Sequence, residues 1–312
     1  MGKQAIASAC AAVAAVVLAG GATFAVSVRP ATPPAPRSSA VDDKDRWPKT
    51  LDEFLAGNYL RRADVVLTRR EYDPTSFVIR WATQSPFSHA ALVFTTPNQE
   101  PGIDNTFVIE AGTGGVDLTN LRDYATDEAS FIAIKRLRQT WFDEEKQNRV
   151  RGLLLDNIKS EYNYWAIVRI VRNIWFGLER SMRGKDKAVQ QFEKREWKRP
   201  NEFICSGLVQ FGFVEAVAEY ILQRRLPPWA LNEVVFSETA AARLISKEEW
   251  EKADPALIEL NIAEARNVLG NELEAITPDD LAQSDRLEWL YFIRNGKVHK
   301  VGSYGDVRTL AR

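Results

Sequence analysis

Cysteine and histidine are scarce in this sequence. Its 312 residues contain two cysteines, Cys10 and Cys205, and two histidines, His89 and His299. A disulfide framework and a cysteine-rich zinc site are therefore excluded. A histidine-based metal centre would have to be built mostly from carboxylates, so we predict neither a metal nor another cofactor. Any reaction that needs a thiol or an imidazole has very few places to occur.

The sequence also lacks an excess of charge of either sign. It carries 41 basic and 42 acidic side chains, which gives a formal net charge of -1. Proteins that bind nucleic acid by neutralising phosphates usually carry a basic excess, so we predict no nucleic-acid partner. No G-x-S-x-G motif is present, which leaves a serine hydrolase without support. The 45% share of hydrophobic residues is that of an ordinary globular protein.

The N-terminal segment is apolar and uncharged. Residues 4–28 carry no charged side chain and consist mostly of Ala, Val, Ile and Leu. Such a run fits a cleaved signal peptide or an uncleaved membrane anchor, and its length favours the anchor. Residues 29–46 are rich in proline and predict an extended linker. We therefore expect an exported or membrane-anchored protein, on the extracytoplasmic side, whose single folded domain covers residues 47–312.

The folded part predicts an α+β domain. Its predicted strands cover residues 64–68, 90–95, 107–111 and 131–137, and a hairpin is expected around Asn295-Gly296. Helical spacing begins near residue 141, where we predict a helical insertion over residues 141–200. A strong helix follows over residues 205–223. The prediction is a small antiparallel sheet packed on the helix that begins at Cys205.

Cys205 opens an apolar helix in the segment NEFICSGLVQ. A thiol at that position faces unpaired backbone N–H groups and the positive end of the helix dipole, and both favour the thiolate. The same N–H groups could hold an oxyanion. Gly207 would allow another segment of the chain to approach closely. The alternative is a buried and inert cysteine.

A histidine and a carboxylate occupy the ends of two neighbouring predicted strands. His89 opens the apolar segment HAALVFT, and Glu110 lies within the apolar segment FVIEA. If the two strands form an antiparallel pair, the start of one lies beside the end of the other, which places Glu110 near His89. The alternatives are a structural histidine and a glutamate that points to water. Together with Cys205, these side chains supply a nucleophile, a base and a residue to orient the base.

The order His89, Glu110, Cys205 resembles that of the circularly permuted NlpC-type papain-like cysteine hydrolases, the YaeF/YiiX-like amidases. The segments ADVVLTR, SPFSHAALV, VIEAGTGGV and FICSGLVQ match the pattern of that branch in order, and ITPDDLAQS resembles its C-terminal segment. Ile204 stands where the unpermuted branch usually has aspartate. The Asn-Cys-Glu signature of the related acyltransferases is absent, which disfavours acyl transfer between lipids.

The resemblance implies a permuted papain-like fold and a role for each of the three residues. Cys205 would be the nucleophile, His89 the general base, and Glu110 the residue that orients His89. The backbone N–H of Cys205 would hold the oxyanion. Tyr162, Tyr164 and Ser206 are further candidates for contacts with the substrate or the oxyanion.

The resemblance also implies the reaction. We expect a cysteine hydrolase that cleaves an amide or ester through an acyl-cysteine intermediate, with a cell-wall peptide or a lipid-linked acyl group as substrate. Two alternatives stay open: an acyltransferase that uses an acceptor other than water, and a membrane-tethered binding module without turnover.

Overall fold

Two strands, Phe107–Gly112 and Gly115–Asn120, form a hairpin at one end of a larger sheet. The computed structural model describes residues 48–69, 74–100, 102–112, 114–125, 130–158, 160–162, 202–273 and 275–311. These residues belong to one compact unit, Asp45–Ala311. The predicted segments 1–28 and 29–46, and residues 163–200 of the predicted insertion, lie outside the described residues.

Seven strands of the described chain form one antiparallel sheet in the order β4-β3-β2-β1-β5-β8-β9. The strands are β1 (Val65–Arg69), β2 (His89–Thr95), β3 (Phe107–Gly112), β4 (Gly115–Asn120), β5 (Phe131–Leu137), β8 (Leu287–Arg294) and β9 (Lys297–Lys300). Two short strands, β6 (Glu161–Tyr162) and β7 (Glu202–Phe203), pair in parallel and form a separate two-stranded sheet. The prediction of an α+β domain with an antiparallel sheet is confirmed.

The helices of the described residues are α1 (Leu51–Ala56), α2 (Pro74–Thr83), α3 (Glu144–Leu155), α4 (Cys205–Leu222), α5 (Glu238–Ala241), α6 (Lys247–Lys252), α7 (Ile258–Glu272), α8 (Pro278–Gln283) and α9 (Tyr304–Leu310). Three short 3₁₀ helices cover Leu121–Ala125, Pro228–Val234 and Pro255–Leu257. Thr277 caps the start of α8, because its hydroxyl accepts from the backbone N–H of Asp280.

The predicted C-terminal hairpin is confirmed, whereas one strand of the sheet was missed. Asn295 and Gly296 both adopt positive φ, which a type I′ hairpin turn requires, and the hairpin forms one end of the sheet. The segment Gly112–Asp117 reads GTGGVD, a composition typical of a turn, but strand β4 begins within it, at Gly115. The glycines favour a turn locally, and pairing of β4 with β3 along six positions outweighs that preference.

The sheet buries apolar side chains on both faces. One face packs against α4, the central helix, in a core to which Val65, Leu92 and Ile109 contribute. The other face packs against α1 and the 3₁₀ helix Leu121–Ala125. Alternate residues of each central strand point to opposite cores, which explains why these strands read as nearly continuous apolar runs.

A buried lysine connects the sheet to α8. Lys135 lies in β5 and is fully buried, and its ammonium donates to the carbonyl oxygens of Leu281 (2.9 Å), Ala282 (2.7 Å) and Ser284 (2.8 Å). These carbonyls end α8 and have no partner within the helix. The ammonium also lies 4.5 Å from the centre of the Trp289 ring. The lysine thereby fixes the C-terminal end of α8 to the sheet.

Replacement of Lys135 with methionine is expected to become more costly as the pH rises from 7 towards 10. Burial lowers the pKa of Lys135 to about 7, despite the raising effect of Asp285. The unfolded chain keeps an ordinary lysine pKa of about 10.4, so in this interval it binds more protons than the folded protein and wild-type stability rises. Urea unfolding of both proteins at pH 6 and pH 9 measures the difference, and a difference independent of pH would contradict the prediction.

Candidate active site

Helix α4 begins at the buried side chain of Cys205. The preceding residue, Ile204, is extended and provides no side-chain cap to the first N–H groups of the helix. The thiol is 3% exposed and contacts the backbone N–H groups of Ala90 and Ser206. The apolar run after Cys205 explains this position, because it buries α4 against the sheet from its first turn onwards.

The first turn of α4 lies directly against the segment that precedes α8. The Ser206 hydroxyl, which is fully buried, donates to the carbonyl oxygen of Ile276 at 2.7 Å. At Gly207 a Cβ atom would overlap the carbonyl oxygen of Leu273. Because residue 207 has no side chain, the first turn of α4 can contact Leu273 and Ile276. This contact fixes the position of Cys205 relative to the sheet.

His89 and Glu110 lie on one face of the paired strands β2 and β3. Glu110 is directly opposite Ala91, and His89 is two residues before Ala91 and so shares its face. The Nε2 atom of His89 contacts the Oε2 atom of Glu110. The imidazole also makes a hydrogen bond with the Cys205 thiol. The structure thus brings together three side chains that are far apart in the sequence.

The Glu110 carboxylate is buried and accepts hydrogen bonds from three side chains. Besides His89, the Thr119 hydroxyl donates to Oε1 at 2.5 Å, and the Tyr124 hydroxyl donates to Oε2. Burial alone would raise the pKa of Glu110, but the His89 charge and these hydrogen bonds lower it to about 2. Glu110 is therefore ionised throughout the neutral range.

The three groups form a coupled charge system. Burial alone would lower the pKa of His89, but the charges of Glu110 and Cys205 raise it to about 10. Burial would likewise raise the pKa of Cys205, yet the His89 charge and the hydrogen bonds of the thiol lower it. The charges support one another: an ionised Glu110 favours the imidazolium form of His89, and the imidazolium favours the thiolate form of Cys205.

The remaining candidates from the sequence have other positions. The Ser206 hydroxyl is occupied by Ile276, so this residue offers its backbone N–H rather than its hydroxyl to the site. The backbone of Tyr162 pairs with Phe203, two residues before Cys205, while its side chain is not among those described. Tyr164 lies outside the described residues.

Sequence reasoning missed two residues that contact Glu110. Thr119 belongs to β4, where it lies opposite Val108, and Tyr124 belongs to the 3₁₀ helix that follows. The alternation of Val116 and Leu118 with polar residues was the available signal for β4. Had it been used, pairing with β3 would have placed Thr119 on the face of Glu110.

Neither a metal cluster nor an exposed membrane span is found in the ranges that the structure describes. No group of three or more His, Cys, Asp or Glu side chains there could hold a metal ion. Helix α4, Cys205–Leu222, is long and apolar enough to cross a membrane, but it is the central helix of the core, with 83% of it buried. Its apolar composition is therefore explained by packing.

A comparison with known families confirms the predicted resemblance. Residues 59–169 match the family described as permuted papain-like amidase enzyme, YaeF/YiiX, C92 family. The matched part includes His89 and Glu110 and ends before Cys205. The family supports a cysteine hydrolase of the amidase or peptidase kind, with a small amide-bearing substrate. No curated protein matches the chain.

Proposed function

We propose that the protein cleaves an amide bond through an acyl-cysteine intermediate on Cys205, because residues 59–169 match the family of permuted papain-like amidases. The observation that carries the proposal is the hydrogen-bonded pair of Cys205 and His89, in which the histidine is held by an ionised glutamate. A buried thiol without such a partner would stay protonated at neutral pH and would be a poor nucleophile.

In the first half of the proposed reaction, the Cys205 sulfur attacks the carbonyl carbon of the substrate. The carbonyl π electrons move to oxygen, and the backbone N–H groups at the start of α4 stabilise this oxyanion. The oxyanion then collapses, the carbon–nitrogen bond breaks, and His89 donates its proton to the leaving amine. The products of this half are a thioester on Cys205 and a free amine.

In the second half, neutral His89 removes a proton from water and the hydroxide oxygen attacks the thioester. The carbon–sulfur bond breaks, the thiolate is restored, and the carboxylic acid leaves. His89 ends the cycle as an imidazolium beside the thiolate, as it began. Glu110 stays ionised throughout and keeps the imidazole oriented.

The substrate class and the location are part of the same proposal. Cell-wall peptides and lipid-linked acyl groups both carry the required carbonyl and would be accessible to a protein held outside the cytoplasm by residues 1–28. Tyr162 and Tyr164 are proposed to assist at the oxyanion, because the backbone of Tyr162 pairs with Phe203, two residues before Cys205.

Mass spectrometry of an acylated intermediate tests the proposed function. The full-length protein is incubated with p-nitrophenyl acetate, p-nitrophenyl octanoate and an alanyl p-nitroanilide, quenched in acid and digested. We expect the acyl mass on the peptide that contains Cys205, its release by hydroxylamine, and no such adduct in Cys205→Ala. Hydrolysis that continues unchanged in Cys205→Ala would overturn the proposal. Preferential transfer of the acyl group to added glycerol or glycinamide would instead identify an acyltransferase.

A further inference from the structure

We propose that Tyr124, together with Thr119, is a positioning residue that fixes the Glu110 carboxylate and through it the His89 ring. The inference rests on the proposed function of Cys205 and His89 and extends it to residues that do not touch the substrate. Its observation is that two hydroxyl groups, from β4 and from the following 3₁₀ helix, donate to the same buried carboxylate.

The two hydroxyl groups donate to different oxygen atoms of the Glu110 carboxylate. Thr119 donates to Oε1, whereas Tyr124 donates to Oε2, the oxygen that also contacts Nε2 of His89. The terminal torsion of a glutamate is broad, so a carboxylate held by one contact can rotate. Donors on both oxygens fix its plane, and the plane determines the direction in which Nε2–H of His89 is held.

Tyr124 also restrains the imidazole directly. The rings of His89 and Tyr124 are nearly parallel, with an angle of 24° between their planes and 6.1 Å between their centres. Tyr124 is only 2% exposed and packs in the core on the face of the sheet that bears Ala91 and Val108. It is thus a buried part of the core, and its hydroxyl acts on His89 through Glu110.

The hydroxyl groups also keep the carboxylate charged. Burial raises the pKa of Glu110, and the hydrogen bonds from Thr119 and Tyr124 are among the effects that reverse this. An ionised Glu110 in turn favours the imidazolium form of His89, and the imidazolium favours the thiolate. Removal of the Tyr124 hydroxyl is therefore expected to change the titration of a sulfur atom that it does not contact.

The test is the pH profile of alkylation of Cys205 by iodoacetamide, read on the peptide that contains this residue. In Tyr124→Phe we expect the acid limb to move up by about one pH unit, with about tenfold slower alkylation at pH 5. Thr119→Val should move it in the same direction by a smaller amount. The matched control is Tyr220→Phe, since Tyr220 also donates to a glutamate, Glu145, but at another place in the fold. Its profile should equal that of the wild type.

A double-mutant cycle separates positioning from general loosening of the core. In a Glu110→Gln background, Tyr124→Phe should produce no further shift, because its effect passes through the carboxylate. An additional shift of the same size there, or an unchanged profile for folded Tyr124→Phe, would overturn the inference. If Tyr124→Phe does not fold, the test rests on Thr119→Val. A pH profile of Cys205 alkylation in Thr119→Val that equals the wild-type profile would then overturn the inference.

The same measurement distinguishes a failure of the proposed function. If Cys205 of the wild type is alkylated with the profile of an ordinary thiol, the activated pair does not exist and the proposed function fails. If the wild-type profile is shifted to low pH but Tyr124→Phe and Thr119→Val are identical to it, only the positioning role fails.

Discussion

Replacement of His89 with alanine is expected to slow alkylation of Cys205 by iodoacetamide at pH 5 by about 100-fold. At that pH a thiol with an ordinary pKa of about 8.5 is only ~0.03% thiolate. In the wild type, His89 lowers the pKa of Cys205. The variant loses this effect and keeps the burial of the thiol, which raises the pKa, and the backbone hydrogen bonds from Ala90 and Ser206, which lower it. A thiolate of low pKa is about tenfold less nucleophilic than one of ordinary pKa. This loss reduces the rate advantage that the wild type has from its larger thiolate fraction, but does not cancel it.

The pH profile gives the sign of the same effect. The wild-type rate should reach its plateau in the acidic range and keep it until His89 loses its proton near its raised pKa of about 10. Above that pH the thiolate persists without its charged partner. In His89→Ala the plateau should be absent and the rate should rise only above pH 8, as the isolated thiol titrates. The rates are measured by quenching at timed intervals across pH 4 to pH 10.

The sequence offers a matched control and an internal reference for this measurement. His299 is the other histidine of the chain and lies in β9, so His299→Ala removes an imidazole without touching the pair. Its profile should equal that of the wild type. Cys10, in the N-terminal segment, reports the behaviour of a second thiol in the same sample. Equal profiles for His89→Ala and the wild type would show that the histidine does not activate the thiol.

The parts of the site that rest on local patterns could be predicted from the sequence. Short connections between apolar strands imply antiparallel pairing, and this pairing alone predicts that Glu110 lies near His89. The apolar run after Cys205 predicts a buried helix that begins there. Both inferences use interactions between residues that are close in the chain or in adjacent strands.

The parts that depend on distant segments could not be predicted in the same way. Lys135 lies in strand β5 next to Arg136. Nothing in the sequence of that strand indicates that the Lys135 ammonium donates hydrogen bonds to the carbonyl oxygens of Leu281 and Ser284. Tyr124 follows strand β4, which was not predicted because the glycines at its start are typical of a turn. Gly207 predicted a close approach of another segment, but the sequence does not say which one. Partners separated by so many residues are fixed by packing of the whole core.

Replacement of Gly207 with alanine is expected to destabilise the protein by about 3 kcal/mol, a cost typical of a severely overpacked core. The new Cβ would overlap the backbone carbonyl oxygen of Leu273, and a backbone atom cannot rotate away as a side chain can. The segment 273–276 must therefore shift, which breaks the hydrogen bond from Ser206 to Ile276. The first turn of α4 moves with it, so alkylation of Cys205 should slow as well.

Gly152 provides the matched control, because it is also a helical glycine and its surroundings are open. It lies within α3, and a Cβ there would meet nothing closer than the Arg149 guanidinium at 3.9 Å. Gly152→Ala should stabilise the protein by up to about 1 kcal/mol, since alanine favours a helix more than glycine does. Urea unfolding of the three proteins measures both changes. The same substitution thus has opposite signs at two helical positions, and a gain of stability at 207 would show that α4 does not need this close contact.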